Sequence, residues 1–509
     1  MTEVQKLQVK RRPAGIKSIR AKYDAAQTTP NNARHWANAD GLSAAASNSE
    51  AVRHALRIRS RYEIANDTIA SGIVDTLVND TVGTGPRIQI GTRGGRSPAD
   101  EKVENKFREW AKKNGLSWKT RVARRSKIAS GEVFVLLIRG AAANRRGSTL
   151  FATPEPELGI QLIEADQVAS PQRIEIPQEV SGIEFDSYGN PIAYHILKEH
   201  PGANTYSGSL EAQRLPASMV LHWFNRQRPG DARGIPEITP ALELFAMRRR
   251  YMLATVEAAE HLANIAGIMQ TDAPADGEAT ESGEDETAFD TVDFARGQIL
   301  TLPYGWKYTQ ADAKNPTATF VQFQHELIGQ LARCLNMPFN IAAGNSSSYN
   351  YASGRLDHQT YRKTIEVERA AMIDELLDPI FWAWFDEATL IEGYLPQAAR
   401  SERYRRDLES RWFFDGSGHV DPVKEAQGQK LRLENGSTTL AIEAAREGHD
   451  WRDIARQRKE ESEFYRELGI PAPGTAPAGL PPGASQTPPE DEEDQEVSQD
   501  QDNPAEGRR

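Results

Sequence analysis

The chain changes its hydrophobic period near Pro236, and that change restricts the possible folds more than any other feature. Ahead of it lie short runs rich in apolar and β-branched residues: GEVFVLLIRG (131–140), GIQLIEA (159–165), IEFDSYGNPIAYHIL (183–197) and SMVLHWF (218–224). Each has the length of a strand, and the third reads as two alternating arms around the turn DSYGNP. From Pro236 to Gln270 the period becomes helical. Ile238, Leu242, Phe245, Met252, Val256, Ala259, Ala263 and Ala266 recur at spacings of three, four and seven, which predicts one long helix.

The flanking text sharpens this division. Residues 52–82 predict two helical segments, with Ile64, Ile69, Ile73, Leu77 and Val78 on one stripe. VGTGPRIQI (82–90) breaks them and begins a strand, and a helix follows at 99–114 with Gly115 as its stop. After the long helix, GQILTLPYGWKYTQ (297–310) predicts two strands around Pro303–Gly305. ATFVQFQHELIGQLARCLN (318–336) predicts a helix closed by Met337–Pro338. A further helix runs from about Arg355 to Leu390 with a kink at Pro379. Its apolar second half, AAMIDELLDPIFWAWF (370–385), needs more than one neighbour to bury it. DPVKEAQGQKLRLENG (421–436) opens a small helical unit with Asp421 as N-cap and Pro422 at the first helical position. Two more helices fit 438–447 and 450–468. The result is an α+β first half and a helical second half.

At 509 residues the chain is long enough for about three domains. No uninterrupted apolar run reaches the roughly 18 residues of a membrane helix, so no membrane partner is expected. The basic N-terminus lacks the apolar segment of a secretory signal. Cys334 is the one cysteine, which excludes an internal disulfide or a cysteine-based zinc site and fits folding in a reducing cytoplasm. Net charge is −11, but it is unevenly placed. Residues 271–290 carry −8, including Asp276, Glu278, Glu281, Glu284, Asp285 and Glu286, and residues 490–509 carry −7, leaving the remainder at +4. Both segments read as solvated appendages on a nearly neutral body.

Catalytic signals are thin. There is no G-x-x-x-x-G-K-[ST], H-E-x-x-H or G-x-S-x-G, and no metal or cofactor is expected. Ser417 and His419 in GSGHVDP (416–422) read as a turn before a helix cap. His222 reads as a packed strand residue, Trp382 and Trp384 as helix packing, and His325 and His358 as residues of separate helices able to meet.

The order of elements is the stronger signal, and particular stretches carry it: IQLIEADQVASP (160–171), GIEFDSYGNPIAYHIL (182–197) and MVLHWFNRQRPGDARGIPEITPAL (219–242). PFNIAAGNSSSYNYASGRLDHQTYRKTIEVER (338–369) and GHVDPVKEAQGQKLRLENGSTTLAIEAAREGHDW (418–451) continue them. Over about residues 50–470 the chain resembles the lambda-like portal proteins of tailed bacteriophages. A basic arm (1–40) and the tail after 470 lie outside the resemblance, which implies an α+β wing (41–235), a stem helix (236–270), a clip with the acidic loop (271–315) and a second stem helix (316–337). A tunnel loop (338–355), a spine helix returning to the wing (356–415), a helical crown (416–470) and a Pro-rich acidic tail (471–509) follow. It further implies a non-enzymatic ring of twelve copies at the capsid vertex of the virion, assembled in the host bacterium's cytoplasm. Double-stranded DNA would pass through this ring, and terminase, major capsid and scaffold proteins, and a head–tail connector would dock on it.

Given that resemblance, NIAAGNSSSYNYASGR (340–355) gains a role. Asn345, Ser346, Ser347, Ser348, Tyr349, Asn350 and Tyr351 offer neutral donors to phosphates, Gly344 and Gly354 allow movement, and Arg355 is the one cation. An ordinary polar helix connector is the alternative reading of the same residues. Arg248, Arg249 and Arg250 are expected either to face the channel or to pair with a neighbouring subunit. The acidic clip loop would repel DNA or attract a basic partner. Two readings from other classes stand beside this one: a phage DNA-processing enzyme such as a packaging ATPase or nuclease, and a helical scaffold that forms no ring.

Overall fold

A computed structural model of the chain describes residues 29–30, 32–93, 95–140, 154–170, 178–203, 211–264, 268–271, 306–309, 319–347, 351–416 and 422–470. They fall into two units divided at Gly418. The first opens with α1 (Ala44–Ser47), α2 (Glu50–Asn66) and α3 (Thr68–Val82), followed by β1 (Arg87–Thr92), α4 (Pro98–Lys113) and α5 (Leu116–Ser130). Next come β2 (Glu132–Ile138), β3 (Gly159–Ile163), β4 (Glu179–Val180), β5 (Ile183–Phe185), β6 (Pro191–Leu197), β7 (Ala212–Pro216) and β8 (Val220–Phe224), then α6 (Leu242–Asn264). A two-stranded ribbon, β9 (Ile268–Thr271) and β10 (Trp306–Thr309), precedes α7 (Phe320–Arg333), α8 (Phe339–Ala343) and α9 (Tyr351–Met372). A π-helical turn (Ile373–Leu377) leads into α10 (Asp378–Leu390), α11 (Glu402–Asp407) and β11 (Leu408–Phe413).

Strand β2 organises the α+β part. Its text is apolar at successive positions because both faces are covered. Val133, Val135 and Leu137 join the cluster of α4, α5 and α10, while Phe134 and Leu136 join the cluster of the second sheet. β2 lies between β3 and β8, antiparallel to both, and β4–β5–β6–β7 form a separate antiparallel sheet. The aromatic centre of the first cluster is Phe107, edge-on to Phe381 at 5.2 Å and to Trp384 at 5.1 Å. That packing explains why 370–385 is apolar all round: α10 is wrapped by α4, the three-stranded sheet and the β1–β11 pair. A third cluster joins α3, the start of α6, α7, α8 and the middle of α9.

Local signals fix the ends of these elements. Ser97 and Asp100 form a reciprocal cap at α4, and Pro98 occupies its first position. Asp67 separates α2 from α3, its Oδ1 accepting from the amides of Ile69 (2.8 Å) and Ala70 (3.0 Å). Gly131, between α5 and β2, has φ +88, and a Cβ there would sit 2.2 Å from the Ile235 backbone. Gly131→Ala is therefore expected to cost at least about 1–3 kcal/mol, read as a lower denaturant midpoint; an unchanged midpoint would show that the 131 and 235 segments can separate freely.

Three departures from the sequence reading have physical causes. The long helix begins at Leu242 after a 3-10 turn containing Pro240, and it ends by Asn264. Ile268–Thr271, expected to be helical, pairs instead with Trp306–Thr309, where Ile and Thr suit a strand. The last long helix of this unit starts at Tyr351 rather than Arg355, with Gly354 inside it. The expected strand before Pro303 lies outside the described residues.

The second unit contains α12 (Pro422–Glu434), α13 (Leu440–Arg446) and α14 (Trp451–Glu467). Thr439 and Asp450 cap the latter two. Arg432 bridges Glu425 and the buried Glu443 at 2.9 and 3.0 Å. Asp421, expected to cap α12, lies outside the described residues, as do Ser417 and His419. Among the described residues no helix is long and apolar enough to cross a membrane.

Candidate functional site

The polar segment 344–351 leaves the core through a tight structural clamp. Helix α7 ends at Cys334, Asn336 takes φ 52, and Pro338 starts the short α8. Ala342 is buried and Phe339 and Ile341 pack beside it, so α8 cannot move without opening the core. Gly344 then turns the chain at φ 62. The Asn345 amide donates to the Asn340 carbonyl at 3.0 Å, and the Ser347 amide donates to Asn345 Oδ1 at 3.0 Å. Asn345, Ser346 and Ser347 are exposed, while Ser348, Tyr349 and Asn350 lie outside the described residues. Tyr351 and Arg355 belong to α9, and Arg355 is exposed. The expected loop therefore gives way to helix at Tyr351, and Gly354 is no hinge.

His325 and His358 flank this clamp. The His325 ring packs on Phe339 at 4.6 Å, and the buried Asn340 Nδ2 lies 3.0 Å from His358 Nε2. Farther along α9, Tyr361 donates to Asp80 Oδ2 at 2.8 Å, and Arg369 donates to the carbonyls of Asp80 and Thr81 at the end of α3. Burial and the Asp80 carboxylate push the Tyr361 hydroxyl well up, so it keeps its proton.

Beneath α9 runs a buried ionic bridge. Lys127 on α5, fully buried, bonds Glu368 on α9. Arg124, one turn earlier, holds Glu237 by two bonds of 2.7 and 3.0 Å and reaches Glu368 at 3.5 Å. Burial pushes Glu237 up, but Arg124 and Lys127 outweigh it and hold the carboxyl below its usual range. The bridge lines a cavity of 170 Å³ together with Asn225, Asn336 and Cys334. Burial raises the Cys334 thiol to about 11, so it stays protonated.

A second buried network centres on Glu132, the first residue of β2. Its carboxylate accepts from Arg233 Nε and Nη2 (2.9 and 2.6 Å), from the Gly234 amide (3.0 Å) and from His222 Nε2 (2.9 Å), with Arg57 at 3.4 Å. Arg233 also donates to the carbonyls of Val168 and Ala165. His222 lies between the rings of Phe134 and Phe224, each at 4.2 Å; it is a packed strand residue. Trp384 is buried in the core and Trp382 packs against it.

The basic run divides by environment. Arg248 pairs with Asp67 at 2.9 Å; Arg249 pairs with Glu63 at 3.1 Å and covers the Tyr62 ring. Both are engaged within their own chain, whereas Arg250 is exposed. The acidic candidates Asp276, Glu278, Glu281, Glu284, Asp285 and Glu286 lie outside the described residues. Glu164, Asp166 and His200 come within 4.8 Å of one another. Arg57 and Arg61 lie at 3.3 and 2.6 Å from Asp166, so this group is an ion-pair cluster rather than a metal cradle.

The family model described as phage portal protein, lambda family, matches residues 30–369. The chain is 25% identical over 423 residues to a probable portal protein of Halomonas phage phiHAP-1, covering 77% of this chain and 76% of that one. It is 21% identical over 360 residues to portal protein B of Escherichia phage lambda, covering 64% and 68%. Among solved structures, a chain in the neck of a native gene transfer agent particle, computed with C12 symmetry, is similar at 13% identity and a TM-score of 0.41, over 81% of this chain and 92% of that one.

Proposed function

Because the chain belongs to the lambda family of phage portal proteins, we propose that its copies close into a ring of twelve whose bore carries double-stranded DNA during packaging and ejection, with segment 344–351 meeting the duplex. One observation carries the loop's part of this reading: a rigid clamp presents Asn345, Ser346 and Ser347 to solvent as uncharged donors. In a ring every residue recurs in each copy, and each fixed cation adds salt-dependent affinity for phosphate. Neutral donors give weak contacts without register, which suits a duplex that has to slide.

The exposed apolar residues of α6 support assembly. Met247 and Tyr251 stand open on one side of the helix and Leu253 and Val256 on the other, with Val321 and Phe323 open on α7. An apolar surface of this kind calls for a neighbour, and a closed ring places a different patch of the next copy against it. Arg250 on the same helix would take part in that contact. The acidic residues of 271–290 would dock terminase or, later, the connector, while capsid and scaffold proteins would meet the outer surface of the virion-bound ring. The family's role is structural rather than enzymatic.

The decisive test is the double substitution Tyr349→Ala/Tyr351→Ala in assembled phage. Rings are expected to form normally, while particles that retain a full genome fall several-fold. Unchanged packaging and retention would remove the segment from the bore. Negative-stain images of the wild-type protein showing only single protomers would remove the ring itself.

A further inference from the structure

The first turns of α9 carry cations that form no ion pair among the described residues, with Glu366 the nearest acid on their own stripe, one turn after Arg362. Arg355, Arg362 and Lys363 are all exposed, and none has a hydrogen-bond or ion-pair partner among the described residues. Other exposed arginines of this unit are paired, for example Arg405 with Asp386 and Arg87 with Asp415.

Their spacing separates two flanks of one helix. Tyr361 and Ile365 are buried, and Asp357, Thr364 and Glu368 are half-buried beside them, which defines the inner side. On the outer side Arg355, Gln359, Arg362 and Glu366 follow at steps of four, three and four, the recurrence of a single stripe. Leu356, Thr360, Lys363 and Val367 form the adjacent stripe, in which Leu356 is 66% and Val367 70% exposed. One flank is therefore polar and basic over its first two turns, and the other is apolar at both ends with Lys363 between.

We infer that the Arg355–Gln359–Arg362 stripe, with Lys363 at its edge, binds the phosphate backbone of the duplex as the electrostatic continuation of the neutral segment 344–351. This rests on the reading that the segment faces DNA. Charge complementarity and continuity choose the occupant: unpaired guanidinium groups with an amide between them match a row of phosphates, and the stripe begins within four residues of the polar segment. The apolar flank has no affinity for phosphate and is left for a neighbouring copy. The duplex would then meet two kinds of donor, neutral ones that permit sliding and cationic ones that hold it in the bore.

The test uses the full chain assembled as rings and a linear duplex of mixed sequence, with affinity measured across a salt series. Arg355→Gln/Arg362→Gln is expected to lower the slope of log affinity against log salt, by about one for each phosphate no longer neutralised. Arg355→Lys/Arg362→Lys should restore most of the slope. Tyr349→Ala/Tyr351→Ala should weaken binding by a similar factor at every salt concentration and leave the slope unchanged. A native slope in the Gln variant overturns the inference. So does a Gln variant that forms no rings while the Lys variant does, since the stripe would then face acidic groups of the neighbouring copy. A reduced slope with silent tyrosine variants supports the stripe and removes the segment from the duplex; sensitive tyrosines with a native slope in the Gln variant do the reverse.

Discussion

Glu132→Ala is expected to destabilise the protein by about 3–5 kcal/mol, because removing one partner of a buried ionic network strands the others. Glu132 is fully buried, and Arg233, Arg57 and Arg53 around it are almost fully buried too. With the carboxylate gone, Arg233 and Arg53 keep carbonyl acceptors and Arg57 keeps Asp166 at 3.3 Å, but Arg233 loses its carboxylate partner. A domain with a typical stability of about 5–15 kcal/mol would lose a large part of it, so a lower denaturant midpoint and reduced soluble yield are the readouts. A loss below about 1 kcal/mol would show that the arginines are solvated in the native state. Glu132→Gln, which keeps the shape and one acceptor, should fall between the two.

The same network sets the acid response. Burial pushes Glu132 up, yet Arg233 and the His222 bond pull it far below the usual carboxylate range. A carboxyl depressed in the folded state contributes stability that is present above its unfolded value, about 4.3, and is lost as pH falls through and below that value. His222 acts in the same direction from higher pH, because burial, opposed by Glu132, holds it below the ordinary imidazole range. The unfolded imidazole takes up a proton near pH 6.5 that the folded one resists. The wild-type midpoint should fall on acidification, first gently and then steeply below about pH 4.3, and Glu132→Ala should flatten the steep part without abolishing it, since Asp166 and Glu237 are also depressed.

These charges explain which parts of the fold are legible in the sequence. The strands of 131–140 and 183–197 can be read because a short run of apolar and β-branched residues, and the turn DSYGNP in the second, are signals carried by adjacent residues. Helix α5 shows no usable period: besides Leu116, Ala123 and Ile128 its buried positions are Thr120, Arg124, Lys127 and Ser130. Its charged side chains are satisfied by Glu237 and Glu368, 113 and 241 residues away, and no local pattern reports a partner so distant. Strand β11 is hidden for the same reason, since LESRWF becomes a strand only beside β1, Arg87 facing Phe413. The only signal for Glu132 is a charge adjoining the apolar run VFVLLI. In the candidate site, composition identifies Asn345, Ser346 and Ser347 as exposed polar residues. It overestimates the loop because Gly354 lowers helix propensity by about 1 kcal/mol, a deficit offset once Tyr361 and Ile365 are held in the core. Arg248 looks like a surface charge until Asp67, itself a helix cap, is seen to take it.

Glu368→Ala is the second large expected effect, and it connects the buried interior to α9 and the polar segment before it. Glu368 neutralises Lys127, whose side chain is fully buried. Burial already lowers the Lys127 ammonium, with Glu368 and Glu237 opposing that shift. Without Glu368 the folded value drops further, and a loss of about 3 kcal/mol at neutral pH is expected. Between the lowered folded value and the unfolded value near 10.4, the unfolded chain binds more protons than the folded one, so stability of the variant rises with pH. Its deficit against the wild type should therefore narrow on the alkaline side, whereas loss of packing alone would leave a deficit independent of pH. The bridge also ties α9 to α5, so amide exchange in α9 should quicken in the variant more than exchange in β2, which keeps its own network. A constant deficit with unchanged exchange in α9 would mean that Tyr361, Ile365 and Arg369 alone seat this helix, and that the segment before it needs no ionic anchor to hold its position.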